Sequence, residues 1–343
     1  MQCPYIYTYL YFRWGSTEIV NILAPLTDNP NAPDKHGETP IYQAADMGYI
    51  EIVKILAPLT KNPNSRSHDG KSPIYAAAKE GHTEIVKFLA PLTDKPNAPD
   101  REGQTPIYVA IEDRNTEVIR CLAPLAKNPN AADNHGNTPL HKAACSGYRD
   151  IVNILVPYTN NCNIPIFNAA IWGHIEIVKM LAPLIANPNA RNAYGKTPMY
   201  WAASSGFDEI VKLLLPYTDN PNAPDGNGDT PIYMAAFNGH LETVKLLAPL
   251  TNNPNAPDNW GNTPLHKAAY NGHTDIVKFL VPLTDNPNAK CVYGQTPIDL
   301  AKIQGHTEIV KILEPLCEDF SIVKQLDWSL RHNEEGRRFG HFW

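Results

Sequence analysis

No stretch of this sequence is long and apolar enough to span a bilayer, and no leader pattern opens it. The aromatic opening from Tyr5 to Trp14 is too short to cross a membrane and runs into Gly15-Ser16-Thr17-Glu18-Ile19-Val20. Cysteine is sparse. Its 6 residues (Cys3, Cys121, Cys145, Cys162, Cys291, Cys317) form no C-x-x-C pair, which removes a disulfide framework and a zinc ribbon. No N-x-S/T acceptor with x other than Pro occurs. Charge of one sign is lacking too: 29 Lys and Arg against 35 Asp and Glu leave a net of -6, with no electrostatic case for nucleic acid as a ligand. Glycine-rich phosphate loops, H-E-x-x-H, G-x-S-x-G and the kinase signature set are all missing. These absences predict a soluble protein of a reducing cell interior, cytoplasmic with the nucleus also open. They also predict no catalytic residues, no metal ligands and no cofactor.

Proline is plentiful at 32 residues, and it keeps time. The proline of a Thr/Ser-Pro pair recurs at Pro40, Pro73, Pro106, Pro139, Pro198, Pro231, Pro264 and Pro297, with Pro165 of Ile164-Pro165 in the same series, always 33 apart except for the 26 between Pro139 and Pro165. The Leu-Ala-Pro-Leu phrase gives a second ruler, from Pro25 to Pro315, with the short interval in the same place. The clearest copy runs from Gly228 to Gly261. There Thr230 caps a helix and Pro231 takes its first position, where no amide donor is needed. Ile232, Ala235 and Ala236 give a small-residue face, and Gly239 stops the helix in the left-handed region. A second helix from Leu241 to Leu250 has Val244, Leu246, Leu247 and Leu250 as its apolar side. The stiff connector Asn253-Pro254-Asn255-Ala256-Pro257-Asp258 then leads into the turn Asn259-Trp260-Gly261. Pro in the last turn of each second helix predicts an early end or kink at Leu-Ala-Pro.

A turn plus two helices at this period, with T-P-[IL]-[YH]-x-A-A and G-H-x-E-I-V, resembles the ankyrin repeat over about residues 15–317. The resemblance implies an all-α solenoid of stacked helix–turn–helix units with short β-turn fingers, about ten repeats long. Residues 1–33 read as a degenerate capping repeat, because Tyr11 and Phe12 stand where later copies have Ala-Ala and would overpack an interior interface. A truncated or mis-spliced start is the alternative. The array proper covers 34–317. Residues 318–343 are expected to hold a closing helix, with Phe320, Val323, Leu326 and Leu330 at helical spacing from Asp319 to Leu330, and then a flexible tail.

Two copies depart from the pattern. Arg114 replaces the Gly that ends the first helix elsewhere (Gly48, Gly81, Gly147), so that helix is expected to run on or end differently, at a cost of about 1 kcal/mol if Arg takes positive φ. At Asn161-Cys162-Asn163-Ile164-Pro165 seven residues are missing, including the turn glycine, in a shortened repeat near 158–184. Both flanking helices remain, which predicts a local notch, backbone groups seeking other partners, and a weak point in folding cooperativity.

Most histidines are in phase. His82, His174, His240, His273 and His306 follow the helix-ending position, and His141 and His266 sit within T-P-L-H, which argues for local hydrogen bonding rather than ligand chemistry. His36, His68 and His135 fall on turns. The information in a repeat array lies where copies differ. In such arrays the binding surface is a concave face of turn tips and exposed first-helix ends. Carried onto this chain, the helix-end pairs run from Asp46/Met47, Lys79/Glu80 and Glu112/Asp113 to Phe237/Asn238, Tyr270/Asn271 and Ile303/Gln304. The first half of the face is charged. The second half presents Trp172, Tyr194, Phe237, Trp260, Tyr270 and Tyr293, a candidate partner-binding set with large area and few rotamers to freeze. At roughly 10 Å per module the set would extend about 40 Å. The competing reading packs several rings flat against neighbouring turns, and Trp201 is assigned to packing.

The resemblance implies a non-catalytic, monomeric adaptor that binds another protein or peptide. The alternatives are a substrate-recognition subunit of a ubiquitin ligase, the regulatory arm of a larger enzyme, or a mechanical spacer. It also raises hydroxylation of connector asparagines, for which Leu23/Asn31, Leu56/Asn64, Leu89/Asn97 and Leu247/Asn255 have the spacing.

Overall fold

A computed structural model describes residues 16–318, apart from 160, 186, 188 and 189. The helix expected over Tyr7–Trp14, the closing helix over Asp319–Leu330 and the tail from Arg331 lie outside the described residues. The chain forms two compact units that meet at Asn168/Ala169. The first contains α1 (Thr17–Leu23), α2 (Pro40–Asp46), α3 (Ile50–Leu56), α4 (Pro73–Lys79), α5 (Thr83–Leu89), α6 (Pro106–Ala110), α7 (Thr116–Leu122), α8 (Pro139–Cys145) and α9 (Arg149–Leu155). Helix α10 (Asn163–Ile171) spans the boundary. The second unit contains α11 (Ile175–Leu181), α12 (Pro198–Ser204), α13 (Asp208–Leu214), α14 (Pro231–Asn238), α15 (Leu241–Leu247), α16 (Pro264–Asn271), α17 (Thr274–Leu280), α18 (Pro297–Gln304), α19 (Thr307–Leu313) and α20 (Pro315–Glu318). No strand occurs among the described residues. The expected ten repeats overstate what is described: nine complete helix pairs, plus α1 without a described partner.

Within each unit, even-numbered first helices stack on one another and odd-numbered second helices do the same. The first helices begin with two side-chain caps. Thr39 Oγ1 accepts from Tyr42 N–H at 3.2 Å, and Asn31 Oδ1, ten residues upstream in the connector, accepts from Ile41 N–H at 3.0 Å. The pair recurs at Thr230 and Asn222 on α14, with 3.2 and 3.1 Å. Pro at the first position has no donor to satisfy, so these short helices leave few open amides. The connector asparagines Asn31, Asn64, Asn222 and Asn255 are buried by this role. Ala44 and Ala45 are fully buried, as are Ala143 and Ala144 of α8 and Ala235 and Ala236 of α14, and allow close stacking. Ile52, Val53 and Leu56 of α3 form the matching apolar side.

Each second α-helix from α1 to α17 stops at the Leu before an x-Pro-Leu or x-Pro-Tyr phrase that forms a short 3₁₀ turn, as in Ala57–Leu59, whereas α19 is followed by the α-helix α20. Proline thus tightens the last turn instead of bending a longer helix. Beyond it, connector aspartates build the fingers. Asp258 Oδ1 accepts from Trp260 and Asn262 N–H at 2.8 Å each, while Tyr233 of the preceding repeat donates its hydroxyl to Asp258 Oδ2 at 2.8 Å. Single backbone bonds join successive fingertips: His68 N–H to the His36 carbonyl at 2.8 Å in the first unit, and Val292 N–H to the Trp260 carbonyl at 2.8 Å in the second.

The two departures have defined consequences. Helix α6 ends early at Ala110, and Arg114 takes φ 54°, the one non-glycine residue with positive φ among those described. Its guanidinium meets Asp150 at 3.1 Å and lies 5.2 Å from the Tyr148 ring centre, contacts that help hold the strained turn. At the deletion no finger precedes α10. Asn161 Oδ1 takes the Asn163 amide at 2.9 Å, while Asn163 Oδ1 is enclosed with no hydrogen-bond partner. A Cβ at Gly136, in the finger before the deletion, would meet nothing within 4 Å.

Replacing Asn222 by Ala removes a buried acceptor and leaves the Ile232 amide open, an expected loss of about 1–2 kcal/mol in urea unfolding. The same change at exposed Asn220 is expected to cost less than half as much. A second expectation concerns Gly239 at φ 86°, where a Cβ would stand 2.7 Å from the His273 ring. Gly239→Ala should destabilise by more than about 1 kcal/mol from backbone strain alone. A double-mutant cycle should show part of that cost removed in a His273→Ala background.

Candidate partner-binding face

The in-phase histidines are structural. Nε2 of His82, His240, His273 and His306 lies 3.0, 3.1, 3.0 and 3.0 Å from the carbonyls of Asp46, Ser204, Phe237 and Tyr270 respectively. Each ring therefore seals the open C-terminus of the preceding first helix, over a glycine that gives it room. Asn115 does the same beside Gly81, with Nδ2 donating to Ala78 and Lys79. His141 and His266 complete capping boxes in which Nδ1 accepts from the amides of Thr138 and Thr263 at 3.1 Å each. Burial lowers the pKa of both, so the rings stay neutral as that bond requires. His36, His68 and His135 are exposed on fingers.

These seals set the first-helix ends in a row and the fingertips in another. In the second unit, Trp172 follows α10, Phe237 lies on α14 and Tyr270 on α16, one repeat apart. Tyr194, Trp260 and Tyr293 occupy fingertips. All six are exposed, from 38 % for Phe237 to 76 % for Tyr293. Trp260 and Tyr293 stand on fingers joined by the Val292–Trp260 bond. Phe237 and Tyr270 are linked through Asn271, whose Nδ2 donates to the Phe237 carbonyl at 2.7 Å. Tyr194 is separated from Trp260 by the finger bearing Asn227. None of the six stacks on another aromatic ring among the described residues.

Between the rows lies a floor that sequence reasoning missed. Trp201, assigned to packing, is half-buried on α12, edge-on to Tyr200 at 5.7 Å. The Lys196 ammonium lies 4.7 Å from the Tyr200 ring centre and 4.8 Å from that of Trp201. The Trp201 indole nitrogen is enclosed without an acceptor, and Asp229 Oδ1 is enclosed without a donor. Burial, then Asp225 and Asp258, push the Asp229 carboxyl up to about 6, opposed by Lys267 and Lys196. The available signal was positional: Lys196 and Asp229 occupy the same place before Thr-Pro, and Trp201 the variable place two residues inside the helix.

The face of the first unit is ionic instead. Lys142 pairs with Glu112 at 2.6 Å and Lys79 with Glu80 at 3.5 Å. Burial and the neighbouring Glu80 raise the Asp46 carboxyl, and burial and Asp34 raise Glu38. No cluster of His, Cys, Asp and Glu among the described residues has metal-binding geometry, and no described helix is long and apolar enough to cross a membrane.

A raised carboxyl favours the fold only while protonated. Its contribution is complete below about pH 4 and lost as pH rises through about 6. Asp229→Asn is therefore expected to raise stability at pH 7 by about 1 kcal/mol, given solvent screening of this half-exposed group. The gain should vanish below about pH 4. Urea titrations of both proteins across that range check the sign.

Among known families, one described as ankyrin repeats (3 copies) matches residues 9–100, 91–168, 166–258 and 249–322. No curated protein matches the chain.

Proposed function

Because the chain belongs to the ankyrin-repeat family over nearly its whole length, and such repeats are generally protein–protein interaction modules, we propose that it is a non-catalytic adaptor that holds a partner protein or peptide against the fingertip and helix-end rows. The observation that carries this reading is the six exposed rings in the second unit, Trp172, Tyr194, Phe237, Trp260, Tyr270 and Tyr293. Isolated exposed apolar residues are ordinary, but two repeating rows of rings on one unit form the kind of surface that protein interfaces use. Aromatic anchors bury large area at low rotamer cost, and the tyrosine hydroxyls and indole N–H groups retain polar partners at the rim. The ionic face of the first unit would contribute more to encounter rate and selectivity than to affinity. Among the described residues no catalytic constellation competes with this reading, since the in-phase histidines His82, His141, His240, His266, His273 and His306 are committed to helix ends and caps.

The test is quantitative affinity capture with the intact chain and with a variant carrying Trp172, Phe237, Trp260 and Tyr270 as Ser. Circular dichroism and thermal unfolding first establish that the variant is folded. A partner bound by the wild type should lose at least about tenfold in affinity to the folded variant, from the loss of two or more anchors. Equal binding by both proteins would remove the aromatic rows from the interface. A ligase core component among ring-dependent partners would make the chain a substrate receptor.

A further inference from the structure

A cavity of about 640 Å³ lies in the first unit between the segment 61–66 and the segment 91–98. Its lining includes Lys61, Arg66 and Lys95, with Asn62 and Thr93 among the polar neighbours and Asp94 as the one acidic group. None of the three cations forms an ion pair among the described residues. Arg66 is held in place by donating Nε–H to the Gly70 carbonyl at 2.7 Å and Nη2–H to the Pro99 carbonyl. This anchoring fixes the guanidinium at the cavity wall.

Lys95 is the informative residue. Every other described connector has Asn at its place, and in seven of them the Asn Oδ1 accepts the amide two residues on. Asn62 to Asn64 at 3.1 Å and Asn253 to Asn255 at 3.0 Å are examples. Lysine has no acceptor, so this connector gives up that bond. Lys61 likewise stands where most copies have Asp or Asn, such as Asp28, Asp94 and Asp219. Two departures from the chain's own pattern, one of them at the expense of a local hydrogen bond, place unpaired ammonium groups on the same cavity as a clamped guanidinium.

We propose that this cavity binds a phosphate group, with Lys61 and Lys95 as mobile ammonium donors and Arg66 as the fixed fork. A compact dianion can receive charge-assisted hydrogen bonds from all three cations, and the cavity has the volume of an ordinary small-ligand site. The proposal is independent of the protein-binding reading, because the cavity lining includes none of the six rings and none of the residues in the Lys142–Glu112 and Lys79–Glu80 pairs.

The test substitutes the residues that other copies of the repeat carry, Lys61→Asp and Lys95→Asn, singly and together. Both are compatible with the connector, and Lys95→Asn should be at least as stable as the wild type because it regains the capping bond. Inorganic pyrophosphate is titrated into the full chain and followed by amide chemical shifts. Vesicles of phosphatidylcholine with and without a phosphorylated inositol lipid form a second arm. The expected result is saturable shifts confined to residues 61–66 and 91–98, weakened by salt, with affinity reduced at least about tenfold in the double variant. Vesicle binding that needs the phosphorylated lipid and is lost in the double variant would assign the phosphate to a lipid headgroup. Shifts with pyrophosphate and no such vesicle binding would assign it to a soluble ligand. Absence of binding in both arms at millimolar phosphate, or binding unchanged in the folded double variant, would overturn the proposal.

Discussion

The open backbone ends of very short helices are the constraint on which this structure depends. Most of its helices are seven or eight residues long, so end effects touch nearly every residue. A helix of that length is unstable in isolation. A first helix survives here because its amide donors are met by Thr and a connector Asn, and in several repeats its terminal carbonyls by the His or Asn of the following repeat. Each repeat therefore finishes its neighbour's hydrogen bonding. That dependence explains why Thr-Pro, Gly-His and Asn-Pro-Asn recur in the same phase, and why the histidines that follow the helix-ending glycines serve as caps.

Stacking by mutual capping also separates structural from variable positions. Buried alanines, capping residues and left-handed glycines leave little freedom, whereas fingertips, helix ends and the outer connector positions face solvent. Function is confined to those places. In the second unit they carry aromatic rings over a floor containing two unpaired polar atoms, Trp201 Nε1 and Asp229 Oδ1. In the first they carry paired charges and, separately, three unpaired cations lining a cavity. The two sets of residues are thus available to different ligands without conflict over the core.

Arg114 and the seven-residue deletion show how far the pattern can be stretched. Arg114 keeps positive φ because Asp150 and Tyr148 hold its side chain, and α6 shortens to accommodate the turn. The deletion removes a finger but not the helices on either side, because a finger's contacts with its neighbour run mainly through one backbone bond and close packing at a glycine. Losing it leaves an enclosed Asn163 oxygen and an uncovered Gly136, and keeps the buried apolar faces intact.

Much was legible in the sequence because period and chemistry coincide. The 33-residue interval, with its one 26-residue exception, located the nine described helix pairs, Thr-Pro marked most first-helix starts, Gly marked most of their ends, and Pro in Leu-Ala-Pro marked where the α-helix gives way to a 3₁₀ turn. The six exposed rings were also found, since fingertips and helix ends follow from register alone. Trp201 packs edge-on against Tyr200, but residue type does not report whether its indole nitrogen meets an acceptor. Asp229 and the cation cavity were invisible for the same reason: enclosure, local charge and pairing depend on where side chains from successive repeats converge. By itself the sequence determined the helices, their caps and the faces they expose, all set by local hydrogen bonding and periodic burial. Only the tertiary structure decided which polar atoms are left without partners and which unpaired charges share a cavity, because those depend on distances between residues about one repeat apart.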